Sequence, residues 1–239
     1  MVNYRNLRWH NRNSEEFQHL KLLLYWPVYG ILFYLLEAVW QPDSYFSVKC
    51  FIDDHIPFCE AFVIPYIFWF VYLIGIHLYT LLYDVPAFKK LMRFIIISYS
   101  ISLIIFFLFP NQQDLRLDHF ERSNALTDFV SFIYQVDSNT NVCPSLHVVG
   151  SLAVWFTARE TKLYQDGTWK IFFQGTTPMI CFSTVFLKQH SIIDVIAGYA
   201  VGYLTYKLVF SSKGSVWMNR HKLCHLKRHN HSLPACSIK

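Results

Sequence analysis

Runs of apolar residues recur along the chain, separated by shorter polar and charged segments. A transmembrane helix needs about 20 mostly apolar residues. Six stretches meet or approach that length: 20–39, 58–79, 92–109, 144–157, 171–187 and 191–210. The third is the most uniformly apolar, with Phe94-Ile95-Ile96-Ile97 followed by Ile104-Ile105-Phe106-Phe107-Leu108-Phe109. The fourth is short and opens on polar residues, and the last three are less apolar than the rest. Helices of a soluble core show a polar face, and most of these do not. The pattern predicts an all-α integral membrane protein with six transmembrane helices. A cytoplasmic segment (1–19) and a basic tail (211–239) flank a membrane domain spanning 20–210. The polar, basic opening segment lacks the pattern of a cleavable signal peptide.

Composition supports this reading. Apolar residues make up 54% of the chain and charged residues 15%, where a soluble domain carries about 25% charged. That excludes a disordered chain and a nucleic-acid binder built on charged helices. The net charge of +5 gains its meaning from distribution: with six spans, all but Lys49, Arg116, Arg122 and Lys188 of the 21 Lys and Arg residues fall on the side holding both termini. By the positive-inside rule that side is cytoplasmic, so the basic charge is a topology signal. Acidic residues, among them Asp53, Asp114, Asp128 and Asp137, collect on the opposite loops. Two of those loops, 40–57 and 110–143, are long enough to be either functional or disordered. Cys50 and Cys59 lie on the oxidising side, where a bridge is open to them. The tail, with His221, His225, His229 and His231 near Cys224 and Cys236, matches no zinc spacing and reads as a solvated segment at anionic headgroups.

Three polar clusters carry candidate chemistry: Arg116, then Pro144-Ser145-Leu146-His147, then Lys188-Gln189-His190 with Asp194. A topology drawn only from apolar runs and charge bias puts all three at the outer ends of spans three to six, where they can converge. Pro144 suits a helix's first turn, which would place Ser145 and His147 beside unsatisfied backbone N–H groups at an anion-binding helix start. His190 and Asp194 are four apart and share a face on a helix. A carboxylate on one imidazole nitrogen fixes the tautomer and frees the other as a nucleophile. Lys188 adds positive charge nearby. The plainer alternative is a buried His–Asp pair that only locks two helices, beside a structural His147.

Pro-Ser-x-His followed at a distance by His-x-x-x-Asp resembles the type-2 phosphatidate phosphatase superfamily. That family covers integral lipid phosphatases, prenyl-diphosphate phosphatases, sphingolipid synthases of the inositol-phosphorylceramide type and soluble haloperoxidases. The motifs cover roughly 109–202, and the six-span layout extends the likeness over most of the chain. The resemblance implies metal-independent phosphoryl transfer. His190 would attack phosphorus, Asp194 would orient it, and His147 would serve as acid and then base. Ser145, Lys188 and Arg116 would hold the phosphate oxygens, with no cofactor and no metal. Two family cations are missing here. Phe109 stands where the first motif has Lys, Leu117 follows Arg116 where it has Pro, and Ser183-Thr184 replaces the Ser-Arg of the third. This departure resembles the phosphotransferase-like branch, which acts on phosphodiester or headgroup-bearing lipids.

The expected function is a multi-pass cell-membrane enzyme acting on a lipid phosphate, of phosphatidate or prenyl-diphosphate type, from the extracytoplasmic side. A headgroup transferase of the sphingolipid-synthase kind and a lipid-binding member without turnover are the alternatives within the family. Its partners are a lipid substrate and the bilayer, not nucleic acid, with oligomeric state left open. A small transporter would favour inverted repeats and polar residues near the bilayer midplane, which this sequence lacks. A metal or haem protein would need ligands beyond His147, His190 and Asp194.

Overall fold

The computed structural model describes residues 2–40 and 42–211; the expectations for the His-rich tail lie outside them. Among the described residues, seven α-helices form: α1 (Tyr25–Tyr34), α2 (Val63–Tyr83), α3 (Val85–Leu108), α4 (Ala125–Val136), α5 (Leu146–Ala158), α6 (Gly167–Phe186) and α7 (Ile192–Val209). The one sheet among the described residues is a parallel pairing of β1 (Phe46–Ser47) with β2 (Asn111–Gln112). Among the described residues, four helical segments are long and apolar enough to cross a membrane: Gln18–Val39, Glu60–Tyr83, Val85–Leu108 and Ile192–Val209. The expectation of six spans is thus met by length and composition in four. α5 is apolar but has only 13 residues. α6 has the length, 20 residues, but carries Lys170, Gln174, Thr176 and Thr177.

Local sequence explains most helix starts. Asp84, Asn124, Asp166 and Ser191 cap α3, α4, α6 and α7 through their side chains, satisfying N–H groups that a first turn leaves unpaired. Ser145, the cap of α5, makes no such bond. The first span is composite: a 3-10 stretch (Gln18–Leu24) leads into α1, and a π turn (Leu35–Val39) ends it.

α5 is the centre of the bundle. Val148, Val149, Gly150, Ser151, Leu152, Ala153 and Val154 are consecutive and all buried, so no face of this stretch meets solvent or lipid. It packs against α2, α3, α6 and α7. The approach to α7 runs over Gly198 and Gly202, a small-xxx-small pair of the kind that lets membrane helices close on each other. A Cβ on Gly198 would stand 3.0 Å from the Ser145 carbonyl oxygen and 3.0 Å from Val148 Cβ.

The bundle's two ends differ. At one end the N-terminal segment docks, with the Tyr4 hydroxyl donating to the Leu81 carbonyl at 2.6 Å and Phe17 and His19 buried beside Phe88. The other end carries both long loops. The apolar pattern predicts loop over 110–143, yet α4 forms inside it, with Thr127, Val130 and Ile133 buried on one face. Asn111 donates to the Cys143 carbonyl and accepts the Cys143 N–H at 2.7 Å. Glu37, in the π turn, takes the Thr140 hydroxyl at 2.9 Å and the Asn141 amide. Cys50 and Cys59 are free thiols, so the bridge open to them is not made.

Candidate active site

The two motif helices begin side by side. The Ser145 N–H donates to the Asp194 carbonyl at 3.1 Å, which ties the start of α5 to the first turn of α7. Pro144 precedes the cap instead of entering the first turn, and its bond to Cys143 is cis. His190 also lies ahead of its helix, two residues before Ile192. It therefore meets Asp194 through the cap and not across a shared helical face. Asp194 is the third residue of α7 and folds back in a capping box with Ser191. The same oxygen, Oδ2, lies 3.2 Å from His190 Nδ1. Asp194 is fully buried and His190 is 8% exposed. With Nδ1 on the carboxylate, Nε2 is the ring nitrogen turned away from Asp194.

His147, in the first turn of α5, faces His190 with 6.0 Å between ring centroids. α2 packs against it with Tyr66 stacked at 4.3 Å and Trp69 at 4.4 Å. The Tyr66 hydroxyl donates to Asp137 at 3.2 Å. Desolvation raises the Asp137 carboxyl above its ordinary value, against the pull of His190, Arg116 and the Tyr66 hydrogen bond. Cys143 has its thiol pushed up to about 12 by burial and by Asp194, so it is no thiolate nucleophile at neutral pH.

The two expected cations are engaged elsewhere. Arg116 Nη1 donates to the carbonyls of Tyr134 (2.9 Å) and Asp137 (2.8 Å), and Nη2 to the Ser138 carbonyl (2.8 Å) and Gln189 Oε1 (2.7 Å). It thus fastens the C-terminal end of α4 to the residue beside His190, and its buried Nε–H lacks a partner. Lys188 donates its ammonium to the carbonyls of Asp53 (2.7 Å) and Ile56. Burial lowers its pKa, opposed by Asp53 and Asp54. So the structure brings Ser145, His147, His190 and Asp194 together, adds Arg116 through Gln189, and turns the Lys188 ammonium toward the first long loop.

Because a lysine cannot match the planar fork of Arg116, Arg116→Lys should lower stability by about 2 kcal/mol through lost charged hydrogen bonds. A thermal-melt shift of several degrees, with faster proteolysis between β2 and α4, is the expected result.

Several members of this constellation were not assigned from sequence: Gln189, Tyr66, Trp69, Asp137 and Asp53. Gln189 had a signal, standing between two ionisable residues at the end of an apolar run. Tyr66 and Trp69 had none, because an aromatic pair on a membrane helix looks like ordinary core. Among the described residues no three His, Cys, Asp or Glu side chains are grouped as metal ligands would be.

The loop-rich end of a helical bundle with membrane-capable helices thus joins two histidines and a buried aspartate. A family model described as the PAP2 superfamily matches residues 33–208, and the chain belongs to that superfamily, whose members are generally phosphatases. No curated protein and no solved structure matches it.

Proposed function

We propose that this protein is a membrane-embedded phosphoryl-transfer enzyme that hydrolyses a lipid phosphate through a phosphohistidine at His190. One observation carries the reading. Buried polar atoms without partners occur through the bundle, and four of them are donors on motif residues or on the residue beside the nucleophile: Arg116 Nε, Ser145 Oγ, His147 Nε2 and Gln189 Nε2. Buried donors without acceptors are costly, and the oxygens of a bound phosphate would satisfy them.

In the first half-reaction His190 Nε2 forms a bond to phosphorus as the bond to the leaving oxygen breaks. His147 gives that oxygen a proton, so the lipid departs as an alcohol from a monoester, or as a lipid monophosphate from a diphosphate. In the second, His147 takes a proton from water, whose oxygen displaces His190 and releases phosphate. Asp194 stabilises the charged imidazole, while Ser145 Oγ, the free N–H groups of the α5 first turn, Gln189 and Arg116 Nε hold the equatorial oxygens. Positioned donors of this kind contribute about 100- to 1,000-fold each. The bias of Lys and Arg toward the opposite end supports an extracytoplasmic site in a multi-pass protein of the cell membrane.

Headgroup transfer is the second reading, favoured by the diversion of Lys188 and of both Arg116 Nη groups to protein oxygens. Few cations then remain for a doubly charged monoester, and an alcohol would replace water in the second half-reaction. The test is product formation by purified protein in detergent with EDTA. One arm offers phosphatidate, lysophosphatidate and a prenyl diphosphate and reads phosphate. The other offers a diester phospholipid with alcohol acceptors and reads new lipid. Turnover that survives EDTA is expected in one arm, and blanks in both would leave a lipid-binding protein without catalysis.

A further inference from the structure

Asp53, in the first long loop, is 1% exposed and lies over 130 residues from the nucleophile in sequence. Its Oδ2 accepts the Ser191 hydroxyl at 2.6 Å and the Cys50 N–H at 2.8 Å, and its Oδ1 accepts the Ile192 N–H at 2.9 Å. Burial alone would raise this carboxyl. The bonds from Ser191, Ile192 and Cys50 outweigh it and hold the group below its ordinary value, as expected for a carboxylate bound in its charged form. The carboxylate also sits at the N-terminus of α7, where negative charge is favoured.

The same loop is gripped from the other side of His190. Lys188 adopts φ 54°, a left-handed conformation that a non-glycine residue takes at a cost. That turn ends α6, with the Gln189 and His190 N–H groups both on the Thr184 carbonyl. It directs the Lys188 ammonium to the Asp53 and Ile56 carbonyls. A third link is the Cys59 N–H to the Phe186 carbonyl at 3.0 Å. His190 is thus bracketed by Lys188 and Ser191, and both are fastened to 53–56.

We propose that the first long loop is a strap that sets the position of His190, with Asp53 as its positioning residue, and that the Lys188 ammonium holds this strap instead of the substrate phosphate. The link runs from Asp53 to Ser191, from the Ser191 N–H to Asp194 Oδ2, and from Asp194 to His190. The kinetic part rests on His190 being the nucleophile. The placement of the strap does not.

The experiment compares Asp53→Asn, Lys188→Asn and the double variant in detergent. Asparagine tolerates positive φ, so Lys188→Asn removes the ammonium and keeps the turn. Each single change is expected to lower kcat about tenfold with KM within about twofold, and the double variant to match the worse single, because the two act as one unit. Hydrogen exchange of the 188–193 amides is expected to quicken in all three. A Lys188 effect that falls mainly on KM and multiplies with that of Asp53 would make the ammonium a phosphate ligand and overturn the proposal. Unchanged exchange would overturn it regardless of activity. Should wild type turn over no lipid, the exchange arm still decides the strap, and only the catalytic reading fails. Ser191→Ala, which removes the 2.6 Å bond alone, gives the same readouts if Asp53→Asn does not fold.

Discussion

His190→Ala is expected to abolish turnover, lowering kcat by about 10,000-fold or more, because no other side chain at the site can take its place as the nitrogen that accepts phosphorus. The nearest ring, His147, is held against Tyr66 and Trp69 and lacks a carboxylate partner to orient it. His147→Ala should behave differently, slowing each proton transfer by about 100- to 10,000-fold while leaving the nucleophile in place. An aryl phosphate separates the two roles, because its leaving group departs without a proton. With that substrate the His147 variant should still phosphorylate His190 but fail to activate water, so an acid-labile, alkali-stable label accumulates on the protein. The His190 variant should show no label with any substrate. Label that persists in His190→Ala would move the nucleophile elsewhere and dismantle the mechanism.

What the sequence made legible follows physical lines. Apolar runs report transfer free energy directly, so the long helices could be read from composition. α5 was the hardest helix to read, since protein surrounds it and a buried helix has no lipid-facing length to satisfy. α4 carried a local signal, an Asn124 cap with Thr127 three residues on and apolar Leu126, Val130 and Ile133 behind it. Asp128, Ser131 and Gln135 line the face opposite them, so the pattern is amphipathic, but twelve residues are too few to register as a membrane span. That His147, His190 and Asp194 come together was legible because all three stand at the same ends of the apolar runs that carry them. The destinations of Arg116 and Lys188 were not. A sequence shows that a cation is present, while the carbonyls it meets belong to segments tens of residues away and follow no period. Asp53 escaped for the same reason: nothing near it in the chain predicts that Ser191 and Ile192 will be its partners.

The contact between α5 and α7 decides whether these parts work together, and a single methyl group tests it. Gly198→Ala is expected to lower kcat about tenfold. The added Cβ would press on the Ser145 carbonyl oxygen and on Val148 Cβ, both at 3.0 Å, and neither is the free end of a flexible chain. Relief must come from moving one helix away from the other. α7 carries Asp194 and, through its cap, His190; α5 carries Ser145 and His147. A few tenths of an ångström opened there stretches the Ser145 N–H to Asp194 carbonyl bond and misaligns nucleophile and acid, and displacements approaching 1 Å cost about 100-fold in rate. Gly202→Ala is the internal control. Its Cβ would stand 2.5 Å from Leu152 Cδ1, which is nominally worse, but that atom ends a side chain able to change rotamer, and it lies two turns deeper than Asp194. Gly202→Ala should therefore reduce thermal stability while leaving most of the rate. If the two substitutions proved equal in kcat, the helix contact would be holding the bundle together without setting the distance between the histidines.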